Sequence, residues 1–211
     1  MTDATSTKTT RRTQERTEIA RANLISAATP MFAEQGFDGI TVRNIEIAAN
    51  VKRGMLAYHF GDKDKLWKTV ADSCFERLST ELNHRFELFK DLSERERLAL
   101  MIRFHVRFYA QHPELSRLMS QEARQDSWRI EYLVDKHLKP AVVALKKHVV
   151  ATLDLNDREF AHWYYIMVSA SATMFSFAPE CERLFGFDPH EESVVDTHAE
   201  MMVNTLLGHI K

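Results

Sequence analysis

Apolar residues recur at helical spacing along nearly the whole chain, and no run of strand-like alternation interrupts them, so the pattern predicts an all-α fold. The predicted helices have recognisable stops and starts. A first helix beginning near residue 17 ends at Gly36, where a left-handed glycine and the apolar Phe37 behind it close the last turn. Pro30 lies inside that helix, removes one N–H and crowds the Ser26 carbonyl, so a kink is expected over 26–30. Thr41 is the expected N-cap of a short helix with Val42, Ile45, Ala48 and Ala49 on its inner face and Arg43, Asn44 and Glu46 on its outer face. Asn50 tolerates a left-handed backbone and marks a turn. Beyond it Lys52, Arg53, Gly54, Met55 and Tyr58 are expected on another short helix, with Leu56 and Phe60 pointing inward. Asp62 then caps a long helix reaching about Lys90.

The same signals divide the remainder. Ser93 and Glu96 form a capping-box pattern, His112-Pro113 ends the helix that it opens, and Pro113 suits the first turn of a successor over 114–125. A longer helix is expected over 127–153, bent near 136–140 by Pro140. Asn156 with Glu159, and Asp188 with Glu191 and Pro189, are two further starts, for helices over 157–178 and 189–210. Residues 179–187 are expected to be a loop. The pattern thus predicts about nine helices: three in a small N-terminal domain and six in a larger C-terminal one.

Composition and charge refine this picture. Of 211 residues 45% are hydrophobic, enough for a substantial core, and only 6 are glycine and 5 proline. Cys74 and Cys181 lack a C-x-x-C spacing, which argues against a metal cluster or disulfide framework and fits a reduced cytoplasmic protein. No apolar segment has the length to span a membrane, and residues 1–16 lack the apolar centre of a secretory signal, so no membrane partner is expected. The net charge is only −2, but it is unevenly placed: residues 1–70 hold 11 Lys/Arg against 8 Asp/Glu, a balance of +3, and the remainder is at −5. Lys8, Arg11, Arg12 and Arg16 make residues 1–16 a flexible basic arm, open to two readings: a solvated terminus, or an extension that tracks phosphates or enters the minor groove.

Two short helices joined by a tight turn, the second rich in basic and polar groups, make a helix-turn-helix unit of the kind that presents one helix to the DNA major groove. Ala28, Phe32, Gly36, Phe37, Thr41, Ile45, Gly54, Leu56, Tyr58, His59, Phe60, Lys63 and Leu66 occur in the order in which the N-terminal domain of the TetR family of bacterial transcriptional regulators has its characteristic residues. The chain resembles that family over this first third. Three positions depart from the pattern: Ala57 where the family usually has a DNA-touching tyrosine, Lys52 where it has a serine cap, and Asn50 where it has the turn glycine.

The resemblance implies a helix-turn-helix domain over 17–65 and a ligand-binding and dimerisation domain over 66–211. It implies a homodimer through the last two helices, an inverted-repeat operator in double-stranded DNA, repression, and release by a small-molecule effector through the long fourth helix. Phosphate positioning is expected of Thr41, Tyr58, His59 and Lys63, and base reading of Arg43, Lys52, Arg53 and Met55, with Gly54 permitting close backbone approach. For the dimer, His162, Ile166, Ser169, Ala170, Thr173 and Phe177 can share one face, and Val194, His198, Met201, Met202 and Leu206 offer apolar surface.

The effector is expected to be apolar or aromatic, because 13 Phe and 9 Met suit adaptable cavities. Candidate pocket residues are Phe104, Phe108, Met119, Glu122, Trp128, Tyr132, Met167, Ser171 and Phe175, with Arg107, Arg124 and Glu122 able to hold a polar end. His105 and His112 sit two helical turns apart, but no zinc-binding array accompanies them, so no metal and no cofactor is expected. Nor is catalysis, since the chain has neither a phosphate loop nor a nucleophile elbow. The competing reading is a protein-interaction module of the same fold without specific DNA binding.

Overall fold

The computed structural model of the chain describes residues 4–88 and 91–208, with the side chains of 15–85 and 91–208. Every regular element among them is helical. In chain order these are α1 (Ala4–Gln35), α2 (Val42–Ala48), α3 (Met55–Phe60), α4 (Lys63–Leu88), α5 (Glu94–Gln111), α6 (Pro113–Glu122), α7 (Trp128–Leu133), a π-helical turn (Val134–Leu138), α8 (Lys139–Leu153), α9 (Asp157–Ser176), α10 (Ala178–Phe185) and α11 (Glu192–Leu207). The chain divides into two compact units, Met1–Ser73 and Cys74–Lys211, with the division inside α4.

In the first unit α1 packs against α2 and α3. Leu24, Ala28 and Phe32, one turn apart on α1, are fully buried, as are Ile45 of α2 and Leu56 of α3. Burying each of the larger side chains contributes about 1.5–3 kcal/mol. Gly36 stops α1 in the left-handed region at φ 71°, its N–H bonded to the Phe32 carbonyl, while the Phe37 ring stacks on Phe32 at 6.0 Å. α1 begins at Ala4 rather than near residue 17, because 4–16 contain no glycine or proline to stop the helix propagating toward the N-terminus. The expected basic side chains Lys8, Arg11 and Arg12 lie outside the described residues. α1 is also assigned without a break through Pro30; just before it, the Thr29 hydroxyl donates to the Ile25 carbonyl at 2.8 Å.

In the second unit α5 is packed by α9 and α11, and α6, α8 and α10 lie against α9. The predicted capping box is present at Ser93–Glu96, the start read at Asn156 with Glu159 is also a capping box, and Pro113 occupies the first turn of α6. Pro140 has no N–H to offer the Lys136 carbonyl, and the expected disturbance takes the form of the π-helical turn, closed by the Lys139 N–H on the Val134 carbonyl. With the run from Trp128 to Leu153 counted as one, the described residues form ten helices rather than nine. The additional one is α10, expected as a loop. Pro179 sits in its first turn, where a proline is tolerated, and Gly186 stops it at φ 78°. The start read at Asp188-Pro189 is instead a turn, in which the Asp188 carboxylate accepts from the His190 N–H at 2.8 Å, and α11 begins at Glu192.

Most of the residues expected to line an effector pocket are engaged in packing. Phe108, Met167, Ser171 and Phe175 are buried core, and the Glu122 carboxylate forms a buried ion pair with Arg129 at 2.6 Å. Met119, Trp128 and Tyr132 are half-buried. Phe104 borders a depression of about 220 Å3 between α4 and α5 that Arg107 also lines. Arg124 is exposed.

The expected dimer surface divides similarly. Ile166 and Thr173 on α9, Phe177 just after it and Met201 on α11 are exposed, but Met202 and Leu206 are buried within the protomer, and His198 Nε2 donates to the Ala170 carbonyl at 2.8 Å. His105 is buried, its Nδ1 donating to the Met101 carbonyl. Cys74 and Cys181 are free thiols, and burial pushes Cys74 up to about 11. Among the described residues there is no His/Cys/Asp/Glu cluster able to hold a metal ion, and no helix is long and apolar enough to cross a membrane.

Candidate nucleic-acid interface

α2 starts on a complete capping box. The Thr41 hydroxyl accepts from the Asn44 N–H at 3.1 Å, the Asn44 side-chain oxygen accepts from the Thr41 N–H at 3.3 Å, and the two side chains bond each other. After α2 the chain reverses at Asn50, which adopts φ 51°, and the Val51 N–H returns to the Glu46 carbonyl at 3.0 Å.

α3 then begins at Met55, later than the sequence suggested. Lys52, Arg53 and Gly54 form the turn before it rather than its first residues. The N-cap position is Gly54 at φ 89°; nothing lies within 4 Å of where a Cβ would stand, so the glycine answers to the left-handed backbone and not to crowding. A glycine has no side chain to satisfy the free N–H groups of the helix start. Glu46 does this instead: its Oε1 accepts from the N–H of Gly54 at 2.8 Å and from that of Leu56 at 3.2 Å. The expected outer-face position of Glu46 is therefore corrected. It is 2% exposed, whereas Val42, expected inside, is exposed. A buried carboxylate is costly unless hydrogen-bonded, and the two N–H groups at the start of α3 meet that need while fixing the angle between the helices.

The functional side chains stand around this clamp. Arg43 on α2 and Lys52 and Arg53 in the turn are exposed, and no described residue forms a hydrogen bond or ion pair with their side chains. Val42, Arg43, Glu46, Arg53, Gly54 and Ala57 border a depression of about 460 Å3. The small side chain at position 57 leaves it open. Met55 is half-buried. Tyr58, 71% exposed, stands edge-on to the His59 ring at 5.0 Å, and His59 Nε2 is buried without a partner among the described residues.

Lys63, expected to position a phosphate, is engaged within the protein. Its ammonium donates to the Phe37 and Ile40 carbonyls, both at 2.9 Å, and lies 3.9 Å from the centre of the Phe37 ring, so it ties the α1–α2 loop to the start of α4. Asp62 caps α4 as expected, accepting from the Lys65 N–H at 2.8 Å; that bond, with the Lys65 charge, holds its carboxyl below the usual range. Lys65 is exposed and pairs with Asp62 at 3.5 Å.

The structure thus gathers Arg43, Lys52, Arg53 and Tyr58 on the exposed side of the two short helices and their turn, and turns Lys63 away into the loop. Glu46 is the residue the sequence reading missed. The signal was Gly54: with no side chain at the N-cap, the acceptor for the start of α3 has to come from another element.

Residues 24–70 match the family described as bacterial regulatory proteins, tetR family. The HTH-type transcriptional repressor AcnR of Corynebacterium efficiens is 42% identical over 52 residues, covering 25% of this chain and 28% of that protein. The HTH-type transcriptional repressor NicS of Pseudomonas putida is 29% identical over 117 residues, 54% of each. The chain therefore spans about a quarter to a half of the length of these curated relatives. The solved structure of AibR in complex with isovaleryl coenzyme A and operator DNA shares the fold, with a TM-score of 0.69 at 14% identity over 90% of this chain and 98% of that one. Over residues 24–70 the chain is thus similar to the tetR family of bacterial regulatory proteins.

Proposed function

We propose that the chain is a ligand-responsive transcriptional regulator, most simply a repressor, that binds an inverted-repeat operator as a homodimer. The observation that carries this reading is the clamped turn: Glu46 fixes the start of α3 while the three cations beside it, Arg43, Lys52 and Arg53, have no partners among the described residues. Unpaired cations of both types suit DNA, lysine through phosphate attraction and arginine through bidentate hydrogen bonds to guanine. Thr41 and Tyr58 are the phosphate-positioning groups; Arg43, Lys52, Arg53 and Met55 reach base edges.

Dimerisation through α9 and α11 is supported by their exposed apolar residues, Tyr165, Ile166 and Phe177 on or just after α9 and Met201 on α11. Two-fold symmetry then places two reading helices a whole number of DNA turns apart. An effector acts by preferring one of two conformations of the dimer, and shifts DNA affinity only by that difference.

The test is a salt titration of duplex binding by the purified protein, with stoichiometry. Two protomers per duplex and a steep fall in affinity, about 10³–10⁵-fold between 50 and 200 mM salt if 6–10 phosphates are contacted, support the reading. Affinity insensitive to salt contradicts it.

A further inference from the structure

The depression of about 220 Å3 between α4 and α5 has an unusual wall. Among the described residues four arginines line it, Arg85, Arg97, Arg103 and Arg107, and no aspartate or glutamate does. The rest of the lining is apolar: Leu82, Leu100, Met101 and Phe104.

Each guanidinium has a carboxylate partner, but that partner stands outside the lining: Glu81 for Arg85 at 3.4 Å, Glu94 for Arg97, Glu200 for Arg103 at 2.6 and 2.8 Å, Asp196 for Arg107 at 2.9 Å. Those pairs occupy some of the five N–H groups that each arginine carries and hold the side chains in place. The Arg97 Nε is buried with no hydrogen-bond partner among the described residues. Arg85 lies over the Phe104 ring at 4.6 Å, which keeps its guanidinium against the apolar wall.

We propose that this depression binds a small organic anion: a carboxylate held by the arginines and an apolar or aromatic body seated on Leu100, Met101 and Phe104. The volume, roughly seven water molecules' worth at about 30 Å3 each, sets the size near that of hexanoate or benzoate. A neutral apolar molecule of the same shape leaves the orphaned Arg97 N–H unsatisfied and gains nothing from the guanidiniums. The chemistry adds a negative charge to the apolar or aromatic effector that composition suggested, because a depression lined by arginines selects for charge as well as shape. That this ligand is the effector rests on the regulatory reading above. That it binds does not.

The test uses the full chain without DNA, titrated calorimetrically with hexanoate and benzoate and with their neutral counterparts hexanol and benzyl alcohol. Both anions should bind about tenfold or more tighter than the alcohols, and R97Q and R85Q should each weaken the anions by about tenfold or more while leaving the alcohols unchanged. Arg85 is exposed, so R85Q keeps the test open if R97Q folds poorly by circular dichroism. Equal binding of acids and alcohols, binding of neither anion at millimolar concentration, or anion affinity unchanged in a folded variant overturns the site. Operator affinity measured with and without hexanoate is a separate readout: a change supports the effector role, and no change despite binding overturns that role while the site stands.

Discussion

The Glu46 carboxylate accepts a hydrogen bond from the backbone N–H of Gly54 at 2.8 Å, across eight residues and a left-handed turn. The bond joins the two short helices and leaves Lys52, between them, free of any capping duty. A lysine at that position then adds an exposed cation beside α3 at no cost to the helix start.

Glu46→Ala removes both acceptor bonds and leaves the Gly54 and Leu56 N–H groups unpaired, at about 1–3 kcal/mol for each such group that stays buried. Amide exchange at Gly54 and Leu56 should accelerate in the free protein, and DNA affinity should fall. Protection unaltered by Glu46→Ala would show that the clamp does not hold the turn.

Gly54→Ala places a Cβ on a backbone at φ 89° with open space around it. The cost is conformational alone, about 1–2 kcal/mol, and should appear as a lower thermal midpoint with no repacking in the surrounding core. A variant as stable as the parent would mean that the turn relaxes to a negative φ.

Lys63 and Arg53 should separate cleanly in a salt titration. Lys63→Met loses two charge-assisted bonds to the α1–α2 loop, worth about 1.5–3 kcal/mol each, so stability should drop while the salt slope of DNA binding stays put. A slope reduced by about one would instead return Lys63 to the phosphate-contacting group. Arg53→Ala should leave stability unchanged and cost about 1–3 kcal/mol at one base pair, relaxing specificity there. An equal loss on every sequence would contradict base reading by Arg53.

His105 gives the second unit a pH dependence with a definite sign. Burial, the larger effect, lowers its pKa below the ordinary value near 6.5, and the bond to the Met101 carbonyl opposes this only partly. The unfolded chain therefore takes up a proton near pH 6.5 that the folded chain refuses. The stability His105 contributes is fully present above about pH 6.5 and is lost as pH falls below it toward the folded pKa, at no more than about 1.4 kcal/mol per pH unit. Thermal midpoints across pH 7.5 to 5 should fall less steeply for a folded His105→Gln variant. Equal slopes would assign the acid sensitivity to other groups.

Local signals were legible in the sequence wherever one residue settles its own surroundings. Thr41, Ser93 with Glu96 and Asn156 with Glu159 cap their helices as read, and Asn50 takes the left-handed turn. Misreadings arose where the deciding partner was distant or where one residue type serves two geometries. A glutamate among small apolar residues on α2 reads as solvent-facing until the start of α3 is known to lie beside it. The bonds from the Lys63 ammonium to the Phe37 and Ile40 carbonyls, 26 and 23 residues away, have no local signal. Pro179 reads as a breaker although it opens α10, and Asp188-Pro189 reads as a helix start although it makes a turn. The arginine-lined depression collects residues from two helices whose pairing no periodicity specifies.

The central claim is that two copies of this head read DNA sequence together, and selection of bound duplexes from a random pool by the purified protein tests it most directly. The account predicts enrichment of one inverted repeat whose half-sites lie one helical turn, or a small multiple of it, apart. A selected pool with no repeat, or with a single half-site and no symmetry, would contradict it.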